Sequence, residues 1–220
     1  MQSKISHAWT LTNFFIRRQL HGFSVSDTPH MDPEGLSFFA NCLKKCRSYL
    51  EYGSGGSTVM AARLGVPFIS VDNDRVFHSA VHRAIGPLKD DQILLTVDTG
   101  LTGPWGYPVF KKKTSRSARA WASYPHAPWN HIARGAAVPD LILIDGRFRA
   151  ASALVSLNNL PHSEDVVILV DDYVGREHYR AIENFATLER TAGSIAVFRP
   201  RQSDRGALMS AIAEYETDYR

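Results

Sequence analysis

The sequence predicts an α/β fold with a doubly wound, mostly parallel sheet. From Ser48 onward, short apolar runs of strand length alternate with longer amphipathic stretches. This alternation is typical of βαβ units whose sheet is covered on both faces. The chain has 220 residues, 44% of them hydrophobic, which is enough to fill one core. We therefore expect a single domain over 1–220, with an N-terminal helical extension at 1–47 and the α/β core at 48–220.

Two N-terminal helices are expected before the core. Residues 1–20 carry apolar side chains at approximately helical spacing. From there to Pro33 the chain contains Gly, Ser, Asp and Pro residues, which interrupt helices. Asp32 and Pro33 then predict a helix start, because Asp accepts hydrogen bonds at a cap and proline suits the first turn.

The core elements are predicted from the alternation itself. The predicted strands are 49–52, 67–71, 92–97, 140–144, 166–170 and 194–198. Each predicted core helix ends before a glycine or a proline, which are typical stop signals. These helices are 57–64, 74–85, 147–160 and 176–192. The last segment, 208–219, fits either a helix or a final strand.

Composition and charge exclude several classes of protein. Lys and Arg number 25 against 22 Asp and Glu, and a net charge of +3 demands neither a nucleic acid nor a membrane as partner. The longest apolar run, 166–170, is far shorter than the ~20 residues of a bilayer-spanning helix. The N-terminus lacks the continuous apolar region of a secretory signal, so we expect a cytoplasmic protein without a membrane partner.

A glycine-rich turn joins the first predicted core strand to the helix after it, with the sequence LEYGSGGST at 50–58. Glycine suits this turn because a Cβ would block both its tightness and the approach of an adenosine-bearing ligand. A dinucleotide-binding loop has the pattern G-x-G-x-x-G, and here Thr58 stands in place of the third glycine. This difference disfavours NAD and FAD, and with them a nicotinamide-dependent oxidoreductase.

A carboxylate follows the second predicted core strand. Asp72 lies about 20 residues after the first glycine of the turn, at the sheet edge where ribose hydroxyls are held. One carboxylate can accept hydrogen bonds from both hydroxyls of a ribose. Asp72 or Asp74 could instead cap the next helix. Together with the glycine turn at this spacing, Asp72 is interpreted as a ligand-binding residue.

Four short segments carry a family resemblance. They are EYGSGGST at 51–58, VD at 71–72, LIDG at 143–146 and LVDDY at 169–173. Together they resemble the class I S-adenosylmethionine-dependent methyltransferases, over roughly 48–198. The resemblance implies S-adenosylmethionine as the cofactor and a Rossmann-like sheet of seven strands, the last antiparallel. In this chain, 208–219 would have to supply that last strand.

The resemblance also implies a set of cofactor-binding residues. In this family the E-x-G-x-G turn holds the methionine part of the cofactor, and the acid after the second strand holds its ribose. Asp72 would therefore bind the ribose, while Asn73 and Asp98 would lie near the adenine. The remaining members, all in the turn, are Glu51, Gly53, Ser54, Gly55, Ser57 and Thr58.

Carboxylates are also expected where a methyl acceptor would bind. Asp145 ends the fourth strand, and Asp171 and Asp172 end the fifth, at the edge where open α/β sheets bind ligands. Acids at these two strand ends resemble those of the metal-dependent small-molecule O-methyltransferases, in which they hold a divalent ion. The further amide or acid metal ligand of that family is not evident in this sequence. We predict Asp145 and Asp172 as catalytic residues that hold a metal or position the acceptor. A divalent metal is possible as a cofactor, but the sequence does not require one. The alternative role of Asp145 and Asp172 is to cap the helices that follow them.

Two arginines follow Asp145 directly. Arg147 and Arg149 are two residues apart, so they do not share a helix face. One of them could clamp an acidic substrate, because a guanidinium matches carboxylate geometry. The alternative is that each is a solvated surface residue.

The long connection 99–139 holds the basic character of the chain. It contains six Lys and Arg and no Asp or Glu, so its formal charge is +6 while the rest of the chain sums to −3. Connections of this length are usually functional lids or disordered. We predict a lid-like insertion over the acceptor site that favours an anionic or aromatic substrate. A solvated charged loop is the alternative.

The sequence thus predicts an S-adenosylmethionine-dependent methyltransferase that acts on a small molecule, with oxygen as the acceptor atom. A catalytically inactive methyltransferase-like protein with a binding or regulatory role is the alternative. An RNA methyltransferase, which the +6 segment would serve, is favoured less. Neither an Asn-Pro-Pro-Tyr nor an Asp-Pro-Pro-Tyr motif occurs, so nucleic acid is disfavoured as a partner. A homodimer is left open.

Overall fold

Seven strands form the sheet of the computed structural model, which describes residues 2–161 and 165–220. The strands are β1 (Tyr49–Tyr52), β2 (Phe68–Asp72), β3 (Gln92–Thr96), β4 (Leu141–Ile144), β5 (Val167–Val170), β6 (Ala186–Ala192) and β7 (Ile195–Pro200). Their spatial order is β3-β2-β1-β4-β5-β7-β6. Strands β1 to β5 run parallel, and β7 is antiparallel to both of its neighbours. The predicted α/β class with a mostly parallel seven-stranded sheet is confirmed.

Helices flank the sheet within the described ranges. They are α1 (Gln2–His21), α2 (Pro33–Leu43), α3 (Gly56–Leu64), α4 (Arg75–Ile85), α5 (Ser115–Ile132), α6 (Arg149–Asn159) and α7 (Arg205–Tyr215). Short 3₁₀ helices cover Pro104–Gly106 and Glu177–Asn184. The two helices expected before the core are α1 and α2. In the part of the chain that the structure describes, no helix has both the length and the apolar character required to cross a membrane.

Hydrogen-bonding caps fix several helix ends as the sequence predicts. The Asp32 carboxylate accepts from the backbone N–H groups of Glu34 and Gly35 at the start of α2. The same carboxylate accepts from Ser194 in the turn between β6 and β7. These hydrogen bonds lower the pKa of Asp32 to about 2. One ionised carboxylate therefore joins the N-terminal extension to the antiparallel end of the sheet.

The core lies on both faces of the sheet, as strand β4 illustrates. Alternate side chains of a strand point to opposite faces. Ile142 and Ile144 join the cluster that packs against α5, α6 and α7, whereas Leu141 and Leu143 join the cluster that packs against α2 and α3. All four are at most 1% exposed, which explains why the predicted strand is continuously apolar.

The predicted helix 176–192 is wrong. A 3₁₀ helix covers its first half, and the edge strand β6 covers its second half. Among the described residues, strand β6 pairs with β7 alone, and its middle residues, including Glu189 and Arg190, are exposed. Charged residues are typical of edge strands, where they discourage pairing with another chain. They also remove the alternation that would have marked a strand in the sequence.

The seventh strand does not come from 208–219, as the family resemblance required. That segment belongs mainly to α7, whose Leu208 and Ile212 are buried against the core. The antiparallel strand is β7, at the place predicted for a sixth strand. The strand missing from the prediction is β6, which lies within the segment predicted as the helix 176–192.

The connection 99–139 is half helix. Helix α5 carries the buried side chains Trp121, Tyr124 and Trp129, and it packs against α6 and β2. The Trp121 indole N–H donates to the Thr99 carbonyl, with 3.1 Å between nitrogen and oxygen. The seven residues after α5 form a turn and an irregular segment, and the part before α5 is without regular structure beyond a short 3₁₀ turn and one isolated bridge. A lid function for this part stays a prediction.

Trp121→Ala tests whether α5 belongs to the core. Trp121 is 2% exposed and its ring contacts Phe148 and Tyr219, with centroids 6.5 Å and 5.5 Å away. We expect a loss of about 3–5 kcal/mol in the free energy of unfolding, measured by denaturant titration. The exposed Arg116 on the same helix is the control, and Arg116→Ala should change stability by about 0.5 kcal/mol or less. Equal effects of the two variants would contradict a core role for α5.

Candidate functional site

The glycine turn after β1 lies between the ends of β2 and β4 and is hydrogen-bonded to both. The Gly53 N–H donates to the Val71 carbonyl of β2 at 2.8 Å, and the Asp145 N–H beyond β4 donates to the Tyr52 carbonyl at 2.9 Å. Gly53 has a φ of +96°, and a Cβ there would lie 2.5 Å from the Gly146 nitrogen. Only glycine fits this position, because both the left-handed conformation and the contact exclude a side chain.

The Glu51 carboxylate stabilises the turn from inside the protein. Its side chain is fully buried and accepts from the hydroxyls of Tyr49 at 2.8 Å and Ser57 at 2.6 Å, with a further bond from the Thr58 hydroxyl. Burial raises the pKa of Glu51 in spite of these bonds. This carboxylate binds hydroxyl groups beneath the turn, which gives Glu51 a structural role, and a part in cofactor binding stays a prediction.

The turn is open at Gly55 and covered at Gly56. The Ser54 hydroxyl lies 2.6 Å from the Ser70 hydroxyl, and the Gly55 N–H donates to the Thr58 hydroxyl at 2.8 Å. At Gly55 a Cβ would meet no atom within 4 Å, so this glycine borders open space at the N-terminus of α3, whereas a Cβ at Gly56 would clash with the Thr28 carbonyl oxygen. The side chains of Ser57 and Thr58 are buried and face Glu51. What the turn presents outward is therefore backbone, which suits a ligand with polar groups.

The structure separates the roles of the two acids after β2. Asp74 caps α4 by accepting from the N–H groups of Val76 and Phe77, and it pairs with Arg18 at 3.0 Å. Asp72 ends β2 beside the turn and accepts from the Ser54 N–H at 3.1 Å and from the Asp74 N–H at 2.6 Å. The capping alternative therefore applies to Asp74. Burial raises the pKa of Asp72, which is 7% exposed, to about 7.

Asn73 holds the following loop against the sheet edge. Its amide nitrogen donates to the Thr99 hydroxyl at 2.9 Å and to the Gly106 carbonyl at 3.0 Å. Asp98 is exposed and accepts from the Gly100 N–H at 2.9 Å. The proximity of Asn73 and Asp98 to an adenine stays a prediction, but Asn73 now also has a structural role.

The predicted catalytic acids meet around one arginine at the carboxyl ends of β4 and β5. Arg149 Nη2 lies 2.8 Å from Asp145 Oδ1, and Arg149 Nη1 lies 3.4 Å from Asp172 Oδ2. Asp172 also pairs with Arg176 at 2.8 Å. Burial raises the pKa of Asp145 to about 7, and Arg149 opposes this rise. The Asp145 side chain remains 31% exposed, so a ligand can reach it.

A divalent metal does not fit between these acids. The positive guanidinium of Arg149, with a side chain 3% exposed, occupies the place where the two carboxylates converge. Asp171 faces elsewhere and accepts from the Ser194 hydroxyl at 2.9 Å. Within residues 2–161 and 165–220, no group of three or more His, Cys, Asp or Glu side chains is arranged to hold a metal ion.

Arg147 and Arg149 differ sharply in how their guanidinium groups are used. Arg149 donates to the carbonyls of Asp145, Gly146 and Asp171 as well as to the Asp145 carboxylate. Arg147 is 6% exposed, and its Cζ lies 4.2 Å from the centroid of the Tyr107 ring. Its Nε and Nη1 are buried without a hydrogen-bond partner among the described residues. Neither arginine is a solvated surface residue.

Two site residues escaped the sequence reasoning. The Tyr124 hydroxyl on α5 donates to the Val71 carbonyl at 3.2 Å, and it also packs so close to Gly146 that a Cβ there would lie 2.5 Å from it. Ser70 contacts the hydroxyl of Ser54 in the turn. Ser70 is a polar residue in the apolar run FISVD, which was an available signal. Tyr124 gave no such signal, because its place depends on how α5 packs.

The chain is similar in fold to solved structures of methyltransferase-like proteins. A methyltransferase-like protein from Silicibacter pomeroyi is 31% identical with a TM-score of 0.73, over 89% of this chain and 100% of its own. A Bacillus cereus O-methyltransferase in complex with SAH is 15% identical, with a TM-score of 0.49, over 87% of this chain and 99% of its own. No family model and no curated protein matches the sequence.

Arg149→Met tests whether the buried arginine holds the site together. The substitution leaves the Asp145 carboxylate and three carbonyls without their donor, so we expect a loss of about 3–5 kcal/mol in the free energy of unfolding. Arg176→Met is the matched control, because its side chain is 36% exposed and its pair with Asp172 should contribute about 0–1 kcal/mol. Similar losses in chemical denaturation of the two variants would contradict the prediction.

Proposed function

Since the chain belongs to the class I S-adenosylmethionine-dependent methyltransferase family, we propose that it is an active methyltransferase that acts on a small molecule at oxygen. The observation that carries the proposal is the open backbone of the glycine turn beside the buried carboxylate of Asp72. When bound, S-adenosylmethionine supplies a methyl group for displacement from its sulfonium by the acceptor oxygen.

The cofactor site of this proposal combines the turn with the end of β2. The Asp72 carboxylate accepts hydrogen bonds from the ribose hydroxyls. Two backbone N–H groups, of Ser54 and Asp74, already orient this carboxylate. Gly53 and Gly55 allow close approach of the methionine part, and the buried pairs of Ser54, Ser57 and Thr58 keep the turn rigid. A rigid, preformed turn lowers the ordering cost of binding.

Asp145 is the general base of this proposal. A hydroxyl acceptor must lose its proton as it attacks, and a carboxylate with a pKa of about 7 is matched to that task near neutral pH. The proton passes from the acceptor hydroxyl to Asp145. Asp172 and Arg149 position this carboxylate, with Arg149 also neutralising the charge of the ionised pair. Beyond this proton transfer, the protein's task is to hold the acceptor oxygen, the methyl carbon and the sulfur of the cofactor in line.

The basic segment favours an anionic or aromatic acceptor. Lys111, Lys112 and Lys113 are exposed in the part of the segment that precedes α5. A patch of one sign raises the local concentration of oppositely charged substrates. The lid over the acceptor, the cytoplasmic location and a homodimer belong to this proposal as well.

The alternative functions make different predictions for the same protein. A catalytically inactive binding protein would take up S-adenosylmethionine yet transfer no methyl group to any hydroxylated small molecule. An RNA methyltransferase would bind RNA with strong salt dependence. Transfer of a labelled methyl group to an extract fractionated into small molecules and RNA distinguishes the three.

Asp72→Ala should weaken cofactor binding at least tenfold, a loss of about 1.4 kcal/mol. The physical reason is the loss of the acceptor for the ribose hydroxyls. The measurement is calorimetric titration with S-adenosylmethionine and S-adenosylhomocysteine. Asp90→Ala is the control, because Asp90 is exposed and precedes β3, at the opposite edge of the sheet from Asp72. Failure of the wild-type protein to bind either ligand would refute the proposed function.

Cofactor affinity should rise about tenfold between pH 6 and pH 8, because the ionised fraction of Asp72 rises by that factor around a pKa of about 7. Below this pKa, the proton on the carboxylate occupies an acceptor position. Asp72→Asn should flatten the pH profile of S-adenosylhomocysteine binding. Asp145→Asn should leave the profile as in the wild type, although the pKa of Asp145 is also about 7. A sloped profile in Asp72→Asn would assign the pH dependence to another group.

A further inference from the structure

The guanidinium of Arg147 contacts the Tyr107 ring, but two of its hydrogen-bond donors have no acceptor among the described residues. The side chain is 6% exposed, and neither Nε nor Nη1 has a hydrogen-bond partner in the described ranges. Buried polar groups are nearly always hydrogen-bonded, and a buried charge without a partner is especially costly. An arginine retained in this state is explained by a ligand that supplies the missing acceptor atoms.

The neighbouring arginine shows that the unused donors are particular to Arg147. Arg149 satisfies its guanidinium with three carbonyls and the Asp145 carboxylate. Phe148 lies between the two arginines with a φ of +58°, and this left-handed residue directs the chain into α6. Arg149 therefore belongs to the scaffold, and Arg147 remains available.

The surroundings of Arg147 place it at the candidate active site. It follows Gly146, which contacts the glycine turn at Gly53. Its guanidinium lies over the Tyr107 ring, and its Cγ packs close to Gly106, whose carbonyl is bound by Asn73. The ring of Tyr107 in turn contacts Tyr219, with centroids 6.4 Å apart. Stacking on an aromatic ring fixes the plane of the guanidinium, while its buried Nε and Nη1 keep donor capacity that no described residue satisfies.

We propose that Arg147 binds the anionic group of the methyl acceptor, and that the acceptor is therefore a hydroxylated carboxylate or phosphate. This inference rests on the proposed function. The planar guanidinium forms paired hydrogen bonds with two oxygens of such a group. The exposed lysines of the preceding segment attract the same class of substrate.

A second anion, the carboxylate of the cofactor, has its own binding place. The N-terminus of α3 presents backbone N–H groups beside the open space at Gly55. Such N-termini bind anionic groups without help from a basic side chain. Arg147 is therefore left for the acceptor.

The test compares anion binding by the wild type, Arg147→Met and the control Arg83→Met, whose arginine is exposed in the last turn of α4, outside the basic segment. Each protein, saturated with S-adenosylhomocysteine, is titrated with benzoate and separately with inorganic phosphate at constant ionic strength. The readout is the rise in unfolding temperature with probe concentration. We expect at least one probe to stabilise the wild type and Arg83→Met, and to bind at least tenfold more weakly to Arg147→Met.

Several outcomes would overturn the inference. One is equal stabilisation of wild type and Arg147→Met by the probes, and another is no stabilisation of the wild type by either. A third is weaker binding of S-adenosylhomocysteine, with unchanged binding of methylthioadenosine, in Arg147→Met, because that pattern assigns Arg147 to the cofactor carboxylate. Wild-type protein that binds no S-adenosylhomocysteine would instead refute the proposed function.

Arg147→Lys keeps the inference testable if the methionine variant does not fold. Lysine retains the positive charge and loses the planar pair of donors. We expect several-fold weaker probe binding in this variant, with binding of S-adenosylhomocysteine unchanged. Probe binding equal to that of the wild type would show that the geometry of the guanidinium has no role.

Discussion

The close approach of two glycines organises the carboxyl edge of the sheet. Gly53 after β1 and Gly146 after β4 are in backbone contact, and a Cβ on either would lie under 3 Å from the other segment. Because β1 and β4 are adjacent at the centre of the sheet, this contact brings the glycine turn and the β4 end together. Asp72 ends the neighbouring strand β2, so Asp72, Asp145 and Arg147 lie at one edge, where the cofactor and acceptor sites are proposed.

Charge at this edge is balanced by arginine. Asp145 and Asp172 converge on Arg149, which also ties the carbonyl ends of two loops. A metal ion would neutralise two carboxylates equally well, but it would also polarise a bound hydroxyl. An arginine positions the carboxylates, and in the proposed mechanism one of them, Asp145, removes the proton. The raised pKa of Asp145 is consistent with that division, since burial outweighs the attraction of Arg149.

Local patterns in the sequence predicted much of this structure. Strand β1 was predicted at its observed bounds, and the glycine turn, Asp72 and the Asp145 segment lie at one edge as expected. Strand β6 and helix α5 could not be predicted in this way. The edge strand β6 has exposed charges in place of alternation, and α5 contains two prolines and owes its helix to the tertiary packing of Trp121 and Tyr124. The different roles of Arg147 and Arg149 likewise depend on contacts distant in the chain.

Backbone strain points to the same edge as the charges do. Among the described residues, the non-glycine residues with positive φ are Trp105, Phe148 and Asp172. Trp105 lies in the loop held by Asn73, Phe148 separates the two arginines, and Asp172 is a partner of Arg149. Each such conformation costs about 1–3 kcal/mol and persists only where the surroundings enforce it. Three strained residues therefore lie around one edge, together with two donors of Arg147 that have no acceptor among the described residues. Both features cost stability, and both are consistent with the ligand site proposed at this edge.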